Sequence, residues 1–190
     1  MPEYTTLDTS FILSYVFYPR ETYNICPKWG FDVFVAVEKD TVVHCRFYKE
    51  ADTNPWVLLF HGNGEVVSDY DEISLFYLKN GVNLVVADYR GYGKSTGSPT
   101  LTNVSHDAHV IYDAVRHELS DRGSASRLWV MGRSLGSIPA IEIAHQFKEN
   151  IPGLIVESGF SSIARLLLRL GVTVDSTALQ NIERDSIAMI

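Results

Sequence analysis

The segment Gly132-Arg133-Ser134-Leu135-Gly136, directly behind the apolar run Leu128-Trp129-Val130-Met131, constrains this chain more than any other. It predicts a strand, a tight turn and a helix start in immediate succession, with Ser134 at the bend. A backbone bent that sharply accepts only glycine-sized neighbours two positions on either side of the serine, and Gly132 and Gly136 fill those positions. The bend lifts the hydroxyl clear of the sheet edge. It also leaves the serine at a helix N-terminus, where free N–H groups and the helix dipole favour an oxyanion. Ser134 is therefore a candidate nucleophile, and the N–H of Leu135 a candidate oxyanion donor.

A second segment, His61-Gly62-Asn63-Gly64-Glu65, follows the apolar run Trp56-Val57-Leu58-Leu59-Phe60 well upstream of the serine. This is where an oxyanion loop belongs. Gly62 and Gly64 let the chain turn so that a main-chain N–H, best that of Asn63, points at the same spot as that of Leu135. His61 is read as part of this loop. Between the two lies Val82 to Ala87, a buried-strand pattern running into Asp88-Tyr89-Arg90-Gly91-Tyr92-Gly93-Lys94-Ser95. Gly93-Lys94-Ser95 suggests a phosphate loop, but that motif needs a glycine five positions before the Gly-Lys pair, and position 88 is Asp. Asp88 and Arg90 are expected to pin their loop instead.

Jointly, these three segments resemble the α/β-hydrolase superfamily over roughly residues 31 to 165, most closely the branch of serine esterases, acyl-thioesterases and lipid hydrolases. The resemblance implies a three-layer α/β/α fold on a mostly parallel sheet with an N-terminal antiparallel hairpin. It also implies a small acyl ester, thioester or lipid substrate, and no metal or organic cofactor.

The strand and helix periodicities agree with that fold. Residues 31–37 and 42–48 alternate as two strands around a Glu38-Lys39-Asp40 turn. Strands then alternate with helices: 56–60, a helix near 66–79, 84–87, a helix near 102–119, 128–131, a helix near 134–148, and 154–156. In the middle helix Val104, Ala108, Ile111, Val115 and Leu119 form one apolar face, read as core. Tyr89, Tyr92 and Phe160 either line an acyl pocket or fill the core. The apolar segment 163–170 either packs on the sheet or covers a site.

Composition narrows the remaining classes. The 190 residues, 46% hydrophobic, fit a single domain with a substantial core. A net charge of −7 with no Lys/Arg run argues against nucleic acid. The apolar stretch from Phe11 to Tyr18 is too short to span a bilayer and has no basic segment before it, so neither a transmembrane segment nor a signal peptide is expected. Cys26 and Cys45 are expected as free thiols in a cytoplasmic protein.

The rest of a catalytic triad is harder to place. In this family the order is serine, then acid, then histidine. The one histidine after Ser134 is His145. Eleven residues on in the same helix at about 1.5 Å per residue, its backbone lies roughly 16 Å away, too far for a base. His106, His109 and His117 come in the wrong order, and His44 belongs to the early hairpin. Asp175 and Asp185 follow the serine but no recognisable strand, whereas Glu157 sits at a strand end as a substitute acid. Residues 180–190 are expected to approach a further strand. The chain is accordingly read as one incomplete hydrolase domain, 1–190, ending before the last two strands, with acid and histidine downstream. An open sheet edge at 154–156 would favour self-association. The alternative is a non-catalytic hydrolase-like binding module.

Overall fold

The alternating hairpin forms as β1 (Gly30–Glu38) and β2 (Thr41–Tyr48), antiparallel, with Asp40 at a left-handed φ of 63° in the turn. β3 (Trp56–Phe60), β4 (Asn83–Ala87), β5 (Leu128–Arg133) and β6 (Leu154–Glu157) run parallel to one another, giving the sheet order β1-β2-β4-β3-β5-β6 with β2 antiparallel to β4. The computed structural model describes residues 3–124, 127–160, 163–169, 171–172 and 176–189.

β3 and β4 are buried at every position, which explains why their sequences are unbroken apolar runs. Leu58 and Phe60 join the core under α3 (Leu101–Asp121) and α4 (Ser137–Gln146); Val57 and Leu59 join the opposite core under α2 (Asp71–Lys79). The five residues of the α3 apolar stripe are all buried. Tertiary tightening shortens two predicted helices: the first begins with a 3-10 turn at Val67–Tyr70, and a second such turn, Ser134–Gly136, precedes α4. Pro139 is thereby the third residue of α4, where its missing N–H breaks no helical bond.

Two segments depart from expectation. The apolar stretch near the N-terminus contains a short helix, α1 (Ser10–Val16), capped by the Thr9 side chain on the Ile12 N–H at 3.3 Å; Ile12, Val16 and Phe17 enter the core. Residues 180–188, expected to approach a further strand, are themselves helical: they belong to α6 (Ser176–Ala188), where Leu179, Ile182 and Ser186 recur at helical spacing and are buried while Gln180, Asn181 and Arg184 face out. α6 packs on α5 (Ile163–Arg169), whose Ile163 and Leu167 are buried in the core. β6 is an exposed edge strand: Leu154, Ile155 and Val156 keep 37%, 40% and 46% of their surface.

Candidate active site

At the C-terminal end of β5 the chain turns through Ser134, which holds a left-handed φ of 50°, strained for a non-glycine residue. Flanking side chains have no room. A Cβ on Gly132 would lie 2.7 Å from the Ala140 methyl and collide with the Gly136 carbonyl; one on Gly136 would collide with the Phe60 carbonyl and lie 2.9 Å from the His61 oxygen. Ser134 is partly exposed, and the Ser137 hydroxyl, donating to the Ser134 carbonyl at 2.7 Å, ties the turn to α4.

The 61–65 loop lies at the end of neighbouring β3. The Gly62 N–H and the Tyr70 hydroxyl donate to the Glu65 carboxylate at 2.9 and 2.7 Å, and the same carboxylate pairs with Arg133, next to the serine. Arg133 also reaches Glu157 at 3.2 Å. One guanidinium thus bridges the ends of β3, β5 and β6. Glu157 is half exposed and committed to Arg133.

Beneath the loop sits a buried polar network that the residue pattern alone does not disclose. Pairing of Cys45 with Ala87 sets His44 beside Asp88, and Asp88 contacts His44 Nδ1 at 3.3 Å and His61 Nε2 at 3.1 Å while accepting the Val67 N–H at 2.9 Å. Burial pushes the Asp88 carboxyl up, but the bonds from His44 and His61 outweigh it and leave it below the usual carboxylate range. Burial likewise pushes His44 down, and its contacts with Asp32, at 3.0 Å from Nε2, and Asp88 outweigh this and raise it. Arg46 and Lys94 hold Asp32 from the other side at 2.6 and 3.1 Å. Arg90 forks onto Asp107 at 2.7 and 2.8 Å and reaches Glu38 at 2.7 Å, so Asp88 and Arg90 do pin their loop.

The aromatic residues divide. Tyr89 and Tyr92 are core residues, their hydroxyls donating to the His61 carbonyl at 2.6 Å and to Asn63 Oδ1 at 2.7 Å. Phe160 instead lines a groove of about 610 Å³ between α4 and β6, with Ile141, His145, Lys148, Leu154 and Met189. That groove does not include Ser134.

Among the described residues, none of the histidines hydrogen-bonds the Ser134 hydroxyl. His44 and His61 are held in the Asp88 network, His109 bonds Glu142 at 3.1 Å, His106 and His117 sit beside acids on their own helix, and His145 lines the groove. Asp185 pairs with Arg184 on α6; Asp175 lies outside the described residues. Both cysteines are unpaired, with burial pushing the Cys26 thiol up to about 11. Among the described residues no helix is long and apolar enough to cross a membrane.

The family model described as serine aminopeptidase, S33, matches residues 51–184. The chain belongs to the α/β-hydrolase superfamily. Among curated relatives, the protein bem46 of Schizosaccharomyces pombe is 30% identical over 61% of the chain and 38% of its own length. The uncharacterized protein R595 of Acanthamoeba polyphaga mimivirus is 32% identical over 67% of the chain and 44% of its own length. The chain therefore spans less than half the length of these relatives. In fold it is similar to a predicted CIB-like hydrolase from Thermoplasma acidophilum, with a TM-score of 0.53 and 29% identity over 68% of this chain and 63% of the other. It is similar also to the esterase Pf2001 from Pyrococcus furiosus, with a TM-score of 0.63 and 20% identity over 90% of this chain and 68% of the other. The family match begins after the N-terminal hairpin, so α1 and the hairpin lie outside it.

Proposed function

We propose that the chain carries the nucleophile half of a serine hydrolase that acts on acyl esters or thioesters. The carrying observation is Ser134 held at a φ of 50° in a turn closed to any side chain at Gly132 and Gly136. Strain of this kind, of order 1–3 kcal/mol, persists where surrounding structure enforces it and clusters at functional sites. In the reaction, Ser134 Oγ attacks the acyl carbonyl, and the N–H groups of Asn63 and Leu135 receive the negative charge as it forms on the oxygen. The hydroxyl proton goes to a histidine, oriented by an acid, that lies outside these residues. His61, Gly62 and Gly64 shape the donor loop, and Glu157, anchored by Arg133, frames the site from β6. Attack by a serine on an acyl carbonyl uses no metal. The unpaired cysteines support a reducing, cytoplasmic location.

A second reading, a hydrolase-like binding module with a silent serine, is compatible with Ser134 having no histidine hydrogen bond among the described residues. Fluorophosphonate labelling of the folded chain, followed by intact mass beside Ser134→Ala, tests whether Ser134 is activated. Slow labelling that vanishes in the variant is expected, because oxyanion donors retain part of the rate enhancement, roughly 10³–10⁴-fold over water, when a triad member is missing. A folded chain left unlabelled means that Ser134 is unassisted within these residues, as in the binding module or in a hydrolase whose base lies elsewhere.

A further inference from the structure

The segment leading out of α1 lies outside the family match, yet it converges on the loop that carries Asn63. The Asn63 amide donates to the Val16 carbonyl at 2.6 Å, and its Oδ1 accepts from the Tyr18 N–H at 3.0 Å and from the Tyr92 hydroxyl at 2.7 Å. The Tyr18 N–H is shared with the Tyr92 oxygen at 2.9 Å, which closes a triangle among the three residues. Two residues on, Arg20 donates to the Gly64 carbonyl at 3.2 Å and pairs with Asp69 in the 3-10 turn before α2. The Arg20 carbonyl and the Thr22 N–H then bond Gly93 at 2.9 and 3.1 Å, in parallel-bridge fashion with Glu21 beside Gly93. Apart from the pair with Asp69, each contact falls on a loop at the C-terminal end of β3 or β4, and Phe17 anchors the segment in the core.

From this we infer that residues 16–22 are a strap that positions the Gly62–Glu65 loop, with Asn63 and Tyr92 as its clips. The inference rests on the oxyanion role given above to the Asn63 N–H. An amide side chain fixed by three hydrogen bonds leaves its own backbone little freedom to rotate, so the N–H of the same residue is held in one direction. Directional holding of a donor is what transition-state stabilisation requires, since reorganising it during reaction would forfeit the gain. The Asn63 side chain, turned toward the strap, acts as a positioning group, distinct from the main-chain donor.

The test is Tyr92→Phe, which deletes one hydroxyl from the triangle and preserves the ring packing. Hydrogen exchange of the 61–65 amides and the rate of fluorophosphonate labelling at saturating probe are read together with the melting temperature. Loop exchange about tenfold faster and labelling about tenfold slower, beyond any change in global stability, support the strap; the loss should fall in the maximal rate rather than the half-saturating probe concentration, because the donor acts on the developing oxyanion. Unchanged loop exchange overturns it. If Tyr92→Phe does not fold, Arg20→Ala replaces it, with the same reading at Gly64 and Glu65, because that side chain is half exposed. Absence of labelling in the wild-type chain would count against the Ser134 reading alone, and the exchange measurement would still decide whether the strap holds the loop.

Discussion

The two sides of the Ser134 turn are built to opposite standards. Toward β4, Asp88 is fully buried and ties His44, His61 and the Val67 N–H into one network, and the strap closes over the adjoining loop. Toward β6, the edge strand is exposed along its length, Glu157 reaches Arg133 from a half-exposed position, and an open groove runs beside α4. The proposed donors lie on the finished side and at the turn itself. Preorganisation in this chain is therefore concentrated where negative charge is proposed to develop.

If the turn is the rigid divide between these halves, breaking it should have the largest effect. Gly136→Ala places a methyl against the backbone of Phe60 and His61, neither of which can rotate away as a flexible side chain would. We expect a loss of more than about 4 kcal/mol in urea unfolding, or failure to accumulate folded protein. A fully folded Gly136→Ala chain would mean that the turn is looser than its packing indicates.

Next in size is the closed side. Asp88→Ala leaves two buried histidines and the Val67 N–H without their shared acceptor, and unfolding measurements should register a loss of about 3–5 kcal/mol, the range for removing one partner from a buried charged pair. A loss below about 1 kcal/mol would mean that the network contributes little and that the two sides differ less than their burial suggests.

The sheet and helix order was legible because buried parallel strands leave uninterrupted apolar runs, as in Trp56–Phe60, and because the α3 stripe keeps helical spacing. The turn was legible because its glycines are demanded by backbone collisions that nothing else relieves. The polar network was not. His44 and Asp88 are distant in sequence and meet through the β2–β4 register, which no local pattern reveals. The strap escaped notice for a related reason: Asn63 looks like a loop residue until Val16 and Tyr18 arrive from a helix too short to announce itself. The helix over residues 180–188 was not legible because its spacing becomes apparent only once α6 is counted from Ser176.

A smaller effect, in pH dependence, would sharpen the comparison. His44 is raised above its ordinary value of 6.5 by Asp32 and Asp88 against the pull of burial, so its contribution is complete below that value and lost as pH rises through the elevated one. Asp88 is lowered from 3.8, so its contribution is present above that value and lost as pH falls through the lowered one. Urea unfolding of the wild type should therefore show stability falling with alkalinity from about pH 6 upward, and His44→Gln should flatten that slope. An equal slope in both proteins would locate the proton uptake elsewhere.

The smallest folding effect should come from the open side. Ile155→Lys puts a charge at the centre of β6, where 40% of the residue's surface already meets solvent. Unfolding should change by no more than about 0.5 kcal/mol, as for surface substitutions away from packed features. Association should change more. An unpaired apolar edge offers a row of N–H and C=O groups to another strand, and lysine is a common device for blunting it. Sedimentation velocity of the wild-type chain is expected to shift with concentration, and the Ile155→Lys chain to stay monomeric over the same range. A wild type that stays monomeric throughout would refute self-association through this edge, and a large loss of stability in the variant would mean that β6 is packed more tightly than its exposure indicates.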